Sequence, residues 1–209
     1  MSIVVEHDKR RREILERALD VFMEDGYEDT TFQKIADRCG ITRTTLYLYY
    51  RNKLEIFNWS IKQLMAEVEG DIVSVKSDAG LTAREKLEKV LGTVLDRLQE
   101  NRRLLIVVMN YLMHLAKSGN DPDYRVRRRT IRFRHILATI VIDGIRAGEL
   151  PPVNVRVADD LLYGLIESAI FRLVVLGRPS AAELKGAMQL AVERLSRGLP
   201  PLSPGPTRG

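Results

Sequence analysis

One stretch of the chain is chemically unlike the rest. Thr42, Arg43, Thr44 and Thr45 are followed by Tyr47, Tyr49 and Tyr50, and then by Arg51 and Lys53. Hydroxyls, a guanidinium and phenols on one short helix suit contacts to base edges and backbone phosphates of duplex DNA. A bidentate arginine matches guanine, short hydroxyls match either base edge, and phosphate oxygens accept from any of them. Catalytic patterns are missing from the sequence: no phosphate-cradling glycine loop, no HExxH, no paired cysteines for zinc and no serine elbow. The three histidines, His7, His114 and His135, have no acid–base constellation around them in sequence. The chain therefore reads as a binding protein, not an enzyme, with no cofactor and no metal. A helical scaffold protein with an incidental DNA-binding motif is the alternative, and specific binding of a palindromic duplex separates the two.

The elements that must present these residues are two short helices and a tight turn. The first spans about Phe32 to Cys39, the turn is Gly40-Ile41, and the second spans about Arg43 to Tyr50. Ala36 is small where the helices cross, Gly40 supplies the turn, and Ile41 and Leu46 plug the space between them. This is the spacing of a helix-turn-helix. Ahead of it, Ile14, Leu15, Ala18, Leu19 and Phe22 recur on one helix face, and Gly26 stops that helix. Thr30 with Gln33, Asn52 with Glu55 and Thr82 with Glu85 form capping-box patterns that open further helices.

The fourth helix runs to about Val75, and polar residues 76–80 mark a boundary. Beyond it, helices are predicted over about 82–98, 102–117, 122–147, 154–176 and 180–197, with no convincing strand. The expectation is an all-α chain of about nine helices. Residues 8–57 form a three-helix DNA-binding domain whose linking helix continues to about 75. Residues 81–197 form a helical dimerisation and ligand-binding domain, and the Pro- and Gly-rich residues 198–209 form a disordered tail.

The run TTFQKIADRCGITRTTLYLYYRNKLEIF, with Ala18, Phe22 and Gly26-Tyr27 before it, resembles the DNA-binding domain of the TetR/AcrR (tetracycline repressor) family. The resemblance rests on Thr30-Thr31, Ile35-Ala36, Gly40-Ile41, Thr42, Leu46-Tyr47, Tyr49-Tyr50 and Asn52-Lys53. Tyr50, Leu54 and Thr44 depart from the usual pattern, and Thr44 lies among the base-reading positions. The resemblance implies a homodimeric transcription regulator on a palindromic operator, a repressor relieved by a small molecule or an activator of the same fold. By position it implies that Arg43, Thr44 and Thr45 face bases. Tyr47, Tyr49 and Lys53 lie near phosphates, and Thr31 and Gln33 also reach the DNA. Ordinary packing inside the domain is the competing role for Tyr47 and Tyr50.

Charge agrees only in part. The chain carries a net +5, yet residues 1–60 hold ten basic and eleven acidic side chains, a net of −1. The head is polarised: residues 9–12 and 34–53 are positive, and residues 24–29 are negative. The excess positive charge sits further on, where Arg125, Arg127, Arg128, Arg129, Arg132 and Arg134 crowd one helix whose buried stripe is Val126, Phe133, Leu137, Ile140 and Val141. A solvated flank, an entrance for an anionic ligand and a partner contact all fit that cluster. One cysteine, Cys39, excludes an internal disulfide, and the opening MSIVVEHDKRRRE is too short in apolar residues for a signal peptide. These point to a cytoplasmic protein without membrane spans.

Two further expectations concern the body. Leu161, Gly164, Leu165, Ser168 and Ala169 on one helix, with Leu184, Met188 and Leu195 on the next, are expected to build a dimer interface as a four-helix bundle. A mainly apolar effector is expected against the sixth helix, which is apolar nearly all round. Asn110, Tyr111, His114 and Arg134 would supply its contacts there.

Overall fold

The computed structural model describes residues 3–117, 124–177 and 181–198. Among them the chain is all α, with nine helices: α1 (Ile3–Asp29), α2 (Phe32–Arg38), α3 (Arg43–Tyr47), α4 (Lys53–Ser77), α5 (Ala83–Glu100), α6 (Arg102–Lys117), α7 (Tyr124–Arg146), α8 (Val155–Phe171) and α9 (Ala181–Arg197). A π-helical turn, Arg172–Leu176, follows α8 and ends at Gly177, whose φ is +73°. The expected eighth helix to residue 176 therefore changes its hydrogen-bond register after Phe171. The expected third helix to Tyr50 ends at Tyr47, because Leu48 and Tyr49 form a turn. The residues around Asp121-Pro122 and Pro179-Ser180, and the expected tail from 199 onward, lie outside the described residues.

The capping residues explain where helices begin. Asn52 Oδ1 accepts from Glu55 N at 2.9 Å while Glu55 Oε2 accepts from Arg51 N at 2.6 Å. Thr82 and Glu85 close the same reciprocal box, at 2.8 and 3.3 Å. At α2 the cap is Thr31, not Thr30: Thr31 Oγ1 accepts from Lys34 N at 3.2 Å. Thr30 is buried, and its hydroxyl donates to Gly26 O at 2.6 Å.

Two compact units emerge, and neither is one stretch of chain. The first, here called the head, comprises residues 1–70, 97–124 and 173–175; the second, the body, comprises 71–96, 125–172 and 176–209. This differs from the linear division at 8–57 and 81–197, because α6 packs on α1 and joins the head. The head core holds Ile14, Ala18, Phe22, Ile35, Ala36, Leu46, Tyr50, Ile56, Phe57 and, from α6, Val107. The body core is aliphatic, with Leu87, Leu91 and Leu95 on α5, Leu137, Ile140 and Val141 on α7, and Leu162 and Ile166 on α8. There Gly144 leaves no room for a side chain: a Cβ would stand 2.5 Å from Ala83 Cβ.

Candidate nucleic-acid interface

The helix-turn-helix is held by local bonds first. Gly40 N donates to Asp37 O at 3.0 Å and Ile41 N to Ala36 O at 3.1 Å, with Gly40 at φ +64°. That pair of bonds is a Schellman ending, which needs a left-handed residue and so a glycine. Thr42 then caps α3, accepting from Thr45 N at 3.0 Å. Leu46, fully buried, fixes α3 against α2, and Phe32 meets the Tyr47 ring at 4.8 Å.

Above this frame, Thr31, Gln33, Arg43, Thr44 and Tyr47 are exposed, and Thr45 is half-buried. Arg43 donates to Tyr47 Oη at 3.1 Å and its guanidinium carbon lies 5.7 Å from the centre of that ring. Gln33 donates to Asp37 at 2.7 Å. Tyr50 is buried, in the packing role, whereas Tyr47 is 49% exposed and open to a ligand. Tyr49 is half-buried, its ring stacked on His7 at 4.8 Å.

Lys53 stands differently from the expectation. Its Nζ donates to Tyr27 O, Glu28 O and Thr30 O at 2.8, 2.7 and 2.9 Å, and lies 4.7 Å over the Tyr27 ring. An ammonium has three protons, and all three are engaged here on carbonyls of the segment after Gly26, whose φ of +77° and ψ of 165° break the regular course of α1.

Two residues of this surface were not among those predicted. Leu48 is 73% exposed directly after α3, four positions from Thr44, and offers an apolar contact of the kind that reads a thymine methyl. Only its place in the turn makes it visible, a feature hidden while α3 was expected to run on. Arg11 is the other, half-buried between the Tyr50 and Trp59 rings.

Electrostatics follow from burial. Burial pushes the Tyr50 phenol up to about 12, against the smaller opposing pull of Arg11. Burial, then the neighbouring Tyr111, lifts Tyr27 to about 12 as well. Burial also raises the Cys39 thiol, which makes it a packing group and a poor nucleophile. On the surface, the hydrogen bond from Arg38 at 3.0 Å holds the Glu24 carboxyl below its ordinary range.

The four expected effector residues divide between the units. Tyr111 packs its ring on Tyr27 and Phe57 at 4.6 and 5.1 Å in the head. Asn110 is exposed, and His114, also exposed, stands 3.7 Å from Glu28. Arg134 belongs to the body, donates to Asp159 at 2.7 Å, pairs with Asp160 and lies over Tyr163. It lines a groove of about 590 Å³ with Thr130, Ile131, Arg156 and Asp160. Of the basic cluster, Arg128 and Arg132 are exposed, while the side chains of Arg125, Arg127 and Arg129 lie outside the described residues.

The expected dimer residues also divide. Ala169, Leu184, Met188 and Leu195 are buried within the protomer, where α8 packs on α9, so they have no area left for a second chain. Leu161 is 38% exposed, Ser168 is exposed, and Gly164 and Leu165 are partly so. Phe171, Leu176 and Leu190 extend that outward apolar surface.

An exposed polar helix on a helix-turn-helix, among described residues whose other elements are all helices, is the build of a DNA-binding transcription regulator. Residues 14–58 match the model for bacterial regulatory proteins of the tetR family. That matched segment runs from the buried face of α1 through the helix-turn-helix to the start of α4. It is 29% identical over 163 residues to the fatty acid metabolism regulator protein of Bacillus subtilis, covering 76% of this chain and 80% of that one. It resembles the crystal structure of the B. subtilis regulator FadR in complex with stearoyl-CoA, with a TM-score of 0.63, 27% identity, and coverage of 90% and 99%. A TetR-like regulator from Rhodococcus sp. RHA1 shares the fold, with a TM-score of 0.68, 23% identity, and coverage of 88% and 94%. These relatives are transcription regulators and not enzymes. No described helix is long and apolar enough to cross a membrane.

Proposed function

We propose that this regulator is a cytoplasmic repressor. A homodimer holds a palindromic operator with its two heads and releases it when a small, mainly apolar effector binds the body. The observation that carries this is the exposed set Arg43, Thr44, Tyr47 and Leu48, presented by a helix-turn-helix whose inner face, Ile35, Ala36 and Leu46, is buried. Two such heads reach successive major grooves when held roughly 34–36 Å apart. The outward surface of Leu161, Gly164, Ser168, Phe171 and Leu190 supports pairing of two α8–α9 layers into a four-helix bundle.

The relation to a regulator crystallised with stearoyl-CoA supports a long-chain acyl thioester as the effector. Such a molecule is apolar over most of its length and anionic at its phosphate-bearing end, an end that Arg156 of the body groove suits. An effector that prefers the DNA-free arrangement must in turn be weakened by DNA, by linkage.

The test begins with selection of bound duplexes from a random pool and sedimentation of the free protein at micromolar concentration. Stearoyl-CoA, stearate and coenzyme A are then added separately to the complex. The expected result is a dimer that selects an inverted repeat and is released by stearoyl-CoA alone. A monomer would overturn the two-headed reading. Release by stearate would remove the phosphate contact, and indifference to all three would remove the acyl effector.

A further inference from the structure

Arg11 sits in a run of four cations, Lys9 to Arg12, which by charge alone reads as an arm for DNA phosphates. The geometry points to another role. Arg11 is a positioning residue that grips the C-terminal end of the recognition segment and sets its pose. Its Nη2 donates to Tyr49 O at 3.1 Å, across 38 positions of sequence. The guanidinium carbon lies 5.1 Å from the Tyr50 ring centroid and 4.6 Å from that of Trp59. The grip is mutual, since Tyr50 Oη donates to Arg11 O at 3.3 Å. Nε is sealed from solvent with no hydrogen-bond partner among the described residues, so this edge of the group is closed to phosphate.

His7, four residues earlier and therefore on the same face of α1, stacks on the Tyr49 ring at 4.8 Å. One face of α1 thus holds Tyr49 by both its ring and its carbonyl. Recognition helix α3 is only five residues long, too short to hold its own geometry. Thr42 fixes its beginning, and the Tyr49–Arg11–Tyr50 lock fixes the turn beyond its end. Arginine is required because a planar guanidinium stacks on rings while donating in its plane, which an ammonium does not do.

The inference rests on the head being sequence-specific, so the wild type is first measured on a selected duplex and on a scrambled one of equal length. Failure of specificity itself would show there, before any variant is compared. Arg11→Lys and Arg11→Ala are then titrated well below their melting temperatures over a range of salt. Both are expected to lose about tenfold affinity for the selected duplex. Both should bind the scrambled duplex as the wild type does, and keep the wild-type salt dependence.

A phosphate contact behaves in the opposite way. Arg11→Lys would then keep affinity, while Arg11→Ala would weaken both duplexes and lower the salt slope by about one unit. Either of those results overturns the proposal. A merely structural role would lower the melting temperature and leave the ratio between the duplexes unchanged, which also overturns it. A DNA-free readout stands beside these: amide exchange at Leu48, Tyr49 and Tyr50 should quicken in Arg11→Lys while Ile35 and Ala36 stay protected. Unchanged exchange at residues 48–50 counts against the grip.

Discussion

Around Phe57 the head gathers Phe22, Tyr27 and Tyr111 at ring-centroid distances of 5.9, 5.1 and 5.1 Å, crossed at 71°, 48° and 71°. The body packs leucines, isoleucines and valines, and its one described ring pair is Phe133 with Tyr163 at 6.2 Å. Rings meeting edge to face fix angles as well as distances, whereas aliphatic side chains mainly fill volume, and many combinations fill it equally well. A head that reads bases, as proposed, has to repeat one pose to within the length of a hydrogen bond. The body's demand is for bulk.

The largest effect should follow loss of the ring at the centre of the head. Phe57→Ala is expected to cost about 3–5 kcal/mol and to abolish specific DNA binding at temperatures where the wild type binds. Calorimetry measures it, and a loss below the cost of an ordinary leucine truncation in the body would break the contrast. The next effect tests whether the body is tolerant everywhere. Gly144→Ala forces a methyl within 2.5 Å of Ala83 and 2.8 Å of Leu150. Overpacking there should cost about 1–3 kcal/mol while DNA affinity of the folded protein stays unchanged. An unaltered melting temperature would show that α7 can shift aside.

The smallest effect lies in alkali. Tyr27 and Tyr50 have phenols raised to about 12 from an ordinary 10, so the folded head favours their neutral forms. Their contribution is complete below pH 10 and is lost as pH rises from 10 through 12. Phenolate absorbance should show the late titrations of Tyr27 and Tyr50, and Tyr50→Phe should remove one of them and flatten the loss of stability over that window. A Tyr50→Phe variant whose late titrations match the wild type would sink this prediction.

How much could be read from the sequence depends on the reach of each interaction. The boxes at Asn52–Glu55 and Thr82–Glu85 are closed within three or four residues, and they stand as expected. At Thr30-Thr31 both side chains are able to cap, and the choice is made by Gly26 O, which takes the Thr30 hydroxyl. Arg11 and Lys53 are cations whose partners lie 38 and 23–26 positions away, so the sequence displayed only their charge and, for Lys53, the place that the family resemblance gives it. Periodicity identified the stripe of Leu184, Met188 and Leu195, but a stripe carries no label for which chain covers it. Here the protomer's own core does.

The head's discontinuity bears on how such proteins exchange parts. Residues 1–70 lack Val107 and Tyr111, which α6 brings to the cluster around Phe57, and lack the ion pair from Arg103 to Asp20. A chimera cut after α4 would graft a reader missing one wall. Recombination that keeps residues 97–124 and 173–175 with the N-terminal segment would move a whole module, so swaps of specificity between regulators of this build should respect a seam that is not linear in the gene.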